Sequence, residues 1–135
     1  MKRSDTQAVS IGAPAAVVFG FVSDPYNLPR WAPGFARSVR PDGDDWIVTT
    51  DGGDDRVHIR ASRELGTVDF LAAGPLPGVE TGGFSRVIQN GEGSEYLFTL
   101  LLAEDMPEAD VAAQRAVITE ELAAVRARCE AGRPA

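Results

Sequence analysis

The sequence predicts an α+β fold, in which a curved antiparallel sheet of about seven strands closes over one long C-terminal helix. Two short helices follow the first strand. Three observations lead there. The only long helical periodicity lies at the end of the chain. Most of what precedes it alternates apolar and polar residues between tight turns. The terminal helix carries a single apolar stripe, which needs another layer to cover it.

Thr6 to Gly12 alternates, with Ala8, Val9 and Ile11 as its apolar members, and reads as the first strand. Pro14 then opens a short helix over Ala15–Val22. That helix is apolar almost all round, so burial on more than one side is expected. Pro25, Pro29 and Pro33 forbid a long helix in the next stretch and leave room only for a short one over Leu28–Trp31.

From Gly34 onward the pattern is strand and turn. Phe35–Arg40 alternates and Pro41 to Asp44 turns the chain. Trp46–Thr50 is rich in β-formers and is closed by Asp51 to Asp54. Arg56–Ser62 and Thr67–Ala73 alternate on either side of a turn at Arg63 to Gly66. Pairing them as a hairpin sets Ile59 near Phe70, Ala61 near Val68 and Arg60 opposite Asp69. One register thus satisfies both the apolar and the polar face. Gly74 to Gly78 is a Pro-rich loop, and Val79–Gln89 a strand in which Gly82 and Gly83 suggest a bulge or bend. Asn90 to Gly93 is the clearest hairpin turn. Ser94–Leu102, apolar on both faces, reads as a central strand. The first strand, separated from the rest by helices, extends the sheet by pairing with this last one.

The helix spans Met106 to Glu130. Asp105 and Glu108 have the spacing of a capping box, and Pro107 sits in the first turn. Val111, Ile118, Leu122, Val125 and Cys129 fall on one side. Gln114, Arg115, Glu120, Glu121, Arg126 and Arg128 are expected mostly on the other. Gly132 and Pro134 are stop signals. Small residues of the helix (Ala112, Ala113, Ala116, Ala123, Ala124) suggest room for a ligand between helix and sheet.

At 135 residues the chain is expected to form one domain. Its net charge of -7 and scattered cations argue against a nucleic-acid partner. No apolar run is long enough for membrane insertion, and no secretory signal opens the sequence. One cysteine suits a cytoplasmic location.

Three stretches resemble the START-like, or SRPBCC, superfamily, and within it the polyketide cyclase/dehydrase-type proteins. One runs from Val9-Ser10-Ile11-Gly12-Ala13-Pro14 through Val17 to Asp24 and on to Trp31-Ala32-Pro33. The second is Leu65-Gly66-Thr67-Val68-Asp69-Phe70, and the third runs from Arg86 to Leu100 into the terminal helix. The resemblance implies the helix-grip fold, with an apolar cavity between curved sheet and long helix. The superfamily holds lipid carriers, hormone binders, aromatase/cyclases and co-chaperone modules, so function rests on the cavity lining.

Catalytic constellations are sparse. The single histidine, His58, shares a polar strand face with Arg60 and reads as solvated. Cys129 reads as a small core residue. Asp42, Asp44, Asp45 and Asp51, Asp54, Asp55 lack a calcium-loop spacing and read as solvated turn residues. No metal site, phosphate loop or cofactor is indicated. The expected partner is a small apolar or aromatic molecule. Candidate cavity residues are Trp31, Trp46, Phe70, Arg86, Tyr96, Phe98, Leu100, Ile118 and Leu122. A cyclase or dehydratase is the rival reading; its candidate polar groups are Asp69, Arg86, Tyr96 and Glu95, and it needs Arg86 or Asp69, with Tyr96, inside the pocket. A homodimer stays open as an assembly state.

Overall fold

In the computed structural model, which describes residues 1–73 and 80–131, one antiparallel sheet of seven strands curves against a long helix. The elements are β1 (Arg3–Ile11), α1 (Ala15–Val22), α2 (Leu28–Trp31), β2 (Ser38–Asp42), β3 (Asp45–Thr50), β4 (Gly53–Ser62), β5 (Thr67–Ala73), β6 (Glu80–Asn90), β7 (Gly93–Leu102) and α3 (Glu108–Glu130). The strand order is β1-β7-β6-β5-β4-β3-β2. Every neighbour in β2 to β7 follows in sequence, as hairpins require, and β1 closes onto β7 with Val9 opposite Tyr96. The expected β4–β5 register forms, with Ile59 opposite Phe70, Arg60 opposite Asp69 and Ala61 opposite Val68.

Several boundaries differ from the sequence reading. Phe35 and Ala36 precede β2 instead of starting it, because both bonds of their turn run back to Ala32, at 3.0 and 2.9 Å. Ala36 is buried there. Pro41 lies inside β2, not in the turn, and is tolerated because β2 is a sheet edge. A 3-10 turn over Pro25–Asn27, capped by Asp24 accepting from the Tyr26 N–H at 3.0 Å, precedes α2. The capping box does not form, because α3 starts at Glu108 with Pro107 as its N-cap. The Glu108 carboxylate instead takes Arg3 at 2.7 Å. Gly74 to Val79, Gly132 and Pro134 lie outside the described residues.

The helix α3 buries Val111, Ile118, Leu122, Val125 and Cys129, the stripe read from the sequence. Polar bonds tie the helix to edge strand β1. The Gln7 side chain donates to the Arg115 carbonyl at 3.0 Å, and the Thr119 hydroxyl donates to Gln7 at 2.8 Å. The Gly12 N–H donates to Glu130 at 2.6 Å. These bonds fix the helix along one border of the sheet. α1 packs under it with Val18, Phe19 and Val22 buried, although Val17 is exposed. The convex face carries the polar half of the alternation. There Arg40 pairs with Asp54, Arg56 with Asp42 and Asp45, and Arg60 with Asp69.

Candidate functional site

A cavity of about 360 Å³ opens between the concave face and α3. Its roof is helical: Leu28 and Trp31 come from α2, and Gln114, Val117, Ile118 and Glu121 from α3. Its floor is Phe70 and Ala72 of β5, Gly82 and Gly83 of β6, and Phe98 and Leu100 of β7. Ala32, Gly34 and Phe35 close the side next to α2. Phe70 and Phe98 reach it because they occupy alternate, inward positions of their strands.

The space has a structural cause in β6. No bulge forms at Gly82 and Gly83: β6 stays paired with β5 as far as Glu80. Its pairing with β7 ends at Gly83 opposite Leu100, so the two strands part there. Gly82 holds a φ of 141°, and a Cβ on it would meet the Phe70 carbonyl oxygen at 1.9 Å. A Cβ on Gly83 would meet the Phe98 ring at 2.3 Å. The missing side chain at Gly83 therefore lets the Phe98 ring lie over the strand, and that at Gly82 lets β5 approach closely. The alanines of α3 do not supply the room: Ala112, Ala113, Ala116 and Ala123 are exposed, and Ala124 packs against the core.

Among the predicted site residues, Trp31, Phe70, Phe98, Leu100 and Ile118 come together around this cavity. The other four lie elsewhere. Trp46 makes an edge-to-face contact with Tyr26, with centroids 5.2 Å apart. Leu122 belongs to the buried core and to a second groove of about 350 Å³ between β1 and α3. Arg86 is exposed, on the strand phase opposite to buried Ser85 and Val87. Tyr96 is fully buried behind Trp31, their rings 6.4 Å apart at 85°. Asp69 holds Arg60 at 3.0 Å on the convex face, and Glu95 accepts from the Ser10 hydroxyl at 2.7 Å. The convergence a cyclase reading requires, Arg86 or Asp69 with Tyr96, is thus not formed among the described residues.

His58 is exposed and bonds Asp45 at 2.9 Å. That bond is the main reason the Asp45 carboxyl sits below the usual range. The acidic turns pair with arginines: Asp51 with Arg37 and Asp54 with Arg40.

The ionisable group in the lining is Glu121, which the sequence reading placed mostly on the solvent side. It is partly buried and makes no hydrogen bond or ion pair among the described residues. Burial alone pushes its carboxyl up to about 7. The signal was present in the spacing. Glu121 lies three residues after Ile118 and four before Val125, which places it beside the apolar stripe. Two more polar atoms lie beneath the wall without partners, the Trp31 Nε1 and the Tyr96 hydroxyl. Burial pushes the Tyr96 phenol well above its ordinary value, so it stays protonated. Ser85 lies beside it, but its hydroxyl donates to the Val68 carbonyl at 2.6 Å and completes no bond with Tyr96.

This geometry defines a helix-grip protein with an aromatic-walled internal cavity. The chain belongs to the family described as polyketide cyclase/dehydrase and lipid transport, whose profile matches residues 3–130. Comparison with curated proteins returns no match. Solved structures share the fold at low identity. The Zhui aromatase/cyclase from Streptomyces sp. R1128 is 15% identical, with a TM-score of 0.72 over 96% of this chain and 94% of that one. A START superfamily protein from Mycobacterium smegmatis is 16% identical, with a TM-score of 0.68 over 94% and 97%. The Aha1 dimer from Colwellia psychrerythraea is 14% identical, with a TM-score of 0.72 over 98% and 99%. At these identities the likeness is one of fold.

Proposed function

We propose that this protein binds a small apolar or aromatic molecule, lipid- or polyketide-like, between the sheet and α3, as a binding protein more than as an enzyme. The observation that carries the reading is the cavity itself. It is walled by Trp31, Phe70, Phe98, Leu100 and Ile118, with Gln114 and Glu121 as its polar side chains. An apolar hollow with few polar groups is the usual form of a small-molecule site. At about 360 Å³ it has space equal to roughly a dozen waters, enough for a compact ring system. The buried single cysteine, Cys129, is compatible with a reducing compartment such as the cytoplasm.

Titration with the neutral dye N-phenyl-1-naphthylamine tests the reading. The expected result is a saturable 1:1 fluorescence gain, lost in Ala72→Phe, which places a ring in the hollow. No saturable binding to the parent protein would sink it.

The cyclase, aromatase or dehydratase reading is second. It has family membership and one cavity carboxyl, Glu121, in its favour. A lone carboxyl without a paired base or cation makes a weak acid–base centre. Turnover of a polyketide-like substrate, abolished in Glu121→Gln, would move the assignment to it. A symmetric dimer is the assembly suggested by the dimeric relative, and sedimentation across a concentration series would reveal it.

A further inference from the structure

A carboxyl facing an apolar cavity without a partner is an unfinished interaction. Removing a carboxylate from water costs several kcal/mol unless a charge or donors replace the water. Around Glu121 the described residues supply neither. α2 presents Leu28 and Trp31, β5 presents Phe70 and Ala72, and β7 presents Phe98 and Leu100. Gln114, about two helical turns away on α3, is the other polar side chain of the lining. No Arg, Lys or His lines the cavity among the described residues. The ionisable group near Glu121 from the sheet is the Tyr96 phenol, which stays neutral. The wall around the carboxyl is rich in aromatic faces, and such faces attract cations. The protein as a whole carries a net charge of -7, which draws cations and repels anions at a distance.

Resting on the reading that the cavity holds a small apolar molecule, we propose that its ligand carries a basic nitrogen, that Glu121 receives it, and that anionic molecules such as fatty acids are excluded. A bound ammonium gives Glu121 its missing countercharge in a poorly screened site. A carboxylate or phosphate in the same place would face a like charge with no cation to offset it. The pairing involves no covalent step. At neutral pH the protonated fraction of Glu121 gives up its proton to solvent as the ammonium enters.

Three probes on one ring system separate the possibilities: 1-naphthylmethylamine, 1-naphthalenemethanol and 1-naphthoic acid, titrated calorimetrically at pH 7.5. The amine is expected to bind roughly tenfold tighter than the alcohol, and the acid at least roughly tenfold weaker. Heats for the amine at pH 7 in two buffers of different ionisation enthalpy are expected to show net proton release. In Glu121→Gln, a near-isosteric change that removes a buried charge, the three affinities are expected to fall within about threefold of each other. The inference is overturned if the acid rivals the amine, if the amine binds with proton uptake, or if the ranking survives in Glu121→Gln. It is also overturned if none of the three binds while N-phenyl-1-naphthylamine does, and in that case the cavity reading stands. If the dye fails as well, both fall together.

Discussion

Replacing Glu121 by glutamine should make the protein more stable, by an amount that sets in above about pH 4.5 and is nearly complete by about pH 7. In the folded chain the carboxyl titrates near 7, whereas its ordinary value is 4.5. Between those values the folded state holds a proton that the unfolded state has lost. Stability therefore falls as pH rises through that window. The displacement corresponds to about 3 kcal/mol between the two protonation limits, and residual solvent contact makes this an upper figure. Glutamine has the shape of the protonated acid and does not ionise. Urea unfolding of both proteins from pH 5 to 8.5 reads the effect directly. The variant should match the parent to within about 1 kcal/mol at pH 5 and exceed it by about 2 to 3 kcal/mol at pH 8. Asp45, Asp54, Glu95, Glu108 and Glu130, whose partners hold their carboxyls low, are common to both proteins and cancel in the difference. A difference curve that stays flat across this range would mean that Glu121 is solvated, and the cavity polarity described above would be wrong.

Gly83→Ala must move the Phe98 ring and should cost about 1 to 3 kcal/mol in urea unfolding. Gly82→Ala should cost more, because the obstacle is the Phe70 carbonyl of the neighbouring strand and the φ is unfavourable. In a Trp46→Phe background the remaining Trp31 should report on ligands through changed emission, whereas Trp31→Phe should leave Trp46 silent, since Trp46 lies edge-to-face against Tyr26 outside the cavity lining. Arg86→Ala and Asp69→Ala should leave dye affinity within about twofold of the parent and cost no more than about 1 kcal/mol, both residues lying on the convex face. A loss of binding in either would return them to the site. Cys129, 5% exposed, should resist a thiol reagent until urea unfolds the chain.

The β4–β5 register was legible because two independent patterns had to agree: Ile59 and Ala61 against Phe70 and Val68 on one face, Arg60 against Asp69 on the other. The α3 stripe was legible because its residues recur at helical spacing. The capping box failed because α3 starts at Glu108 with Pro107 as its N-cap, two residues past Asp105, and the Glu108 side chain pairs with Arg3 of the edge strand instead. The direction of Arg86 was undecided because apolar residues occupy both phases of its strand, and pairing with β5 and β7 settles which phase faces the helix.

What the sequence alone determined was the order of the elements, the hairpin succession and the buried stripe of the helix, since each follows from local periodicity and turn chemistry. Where the empty space lies was decided by the tertiary structure. It depends on β6 parting from β7 beyond Gly83 and on the Phe98 ring lying across a strand that has no side chain there. It depends also on Glu121 being turned from the helix border toward the sheet. A void is the absence of neighbours from several distant segments at once, and no window of sequence encodes that. The burial of one carboxyl belongs to the same class of fact, because it is fixed by the strands that fail to reach it.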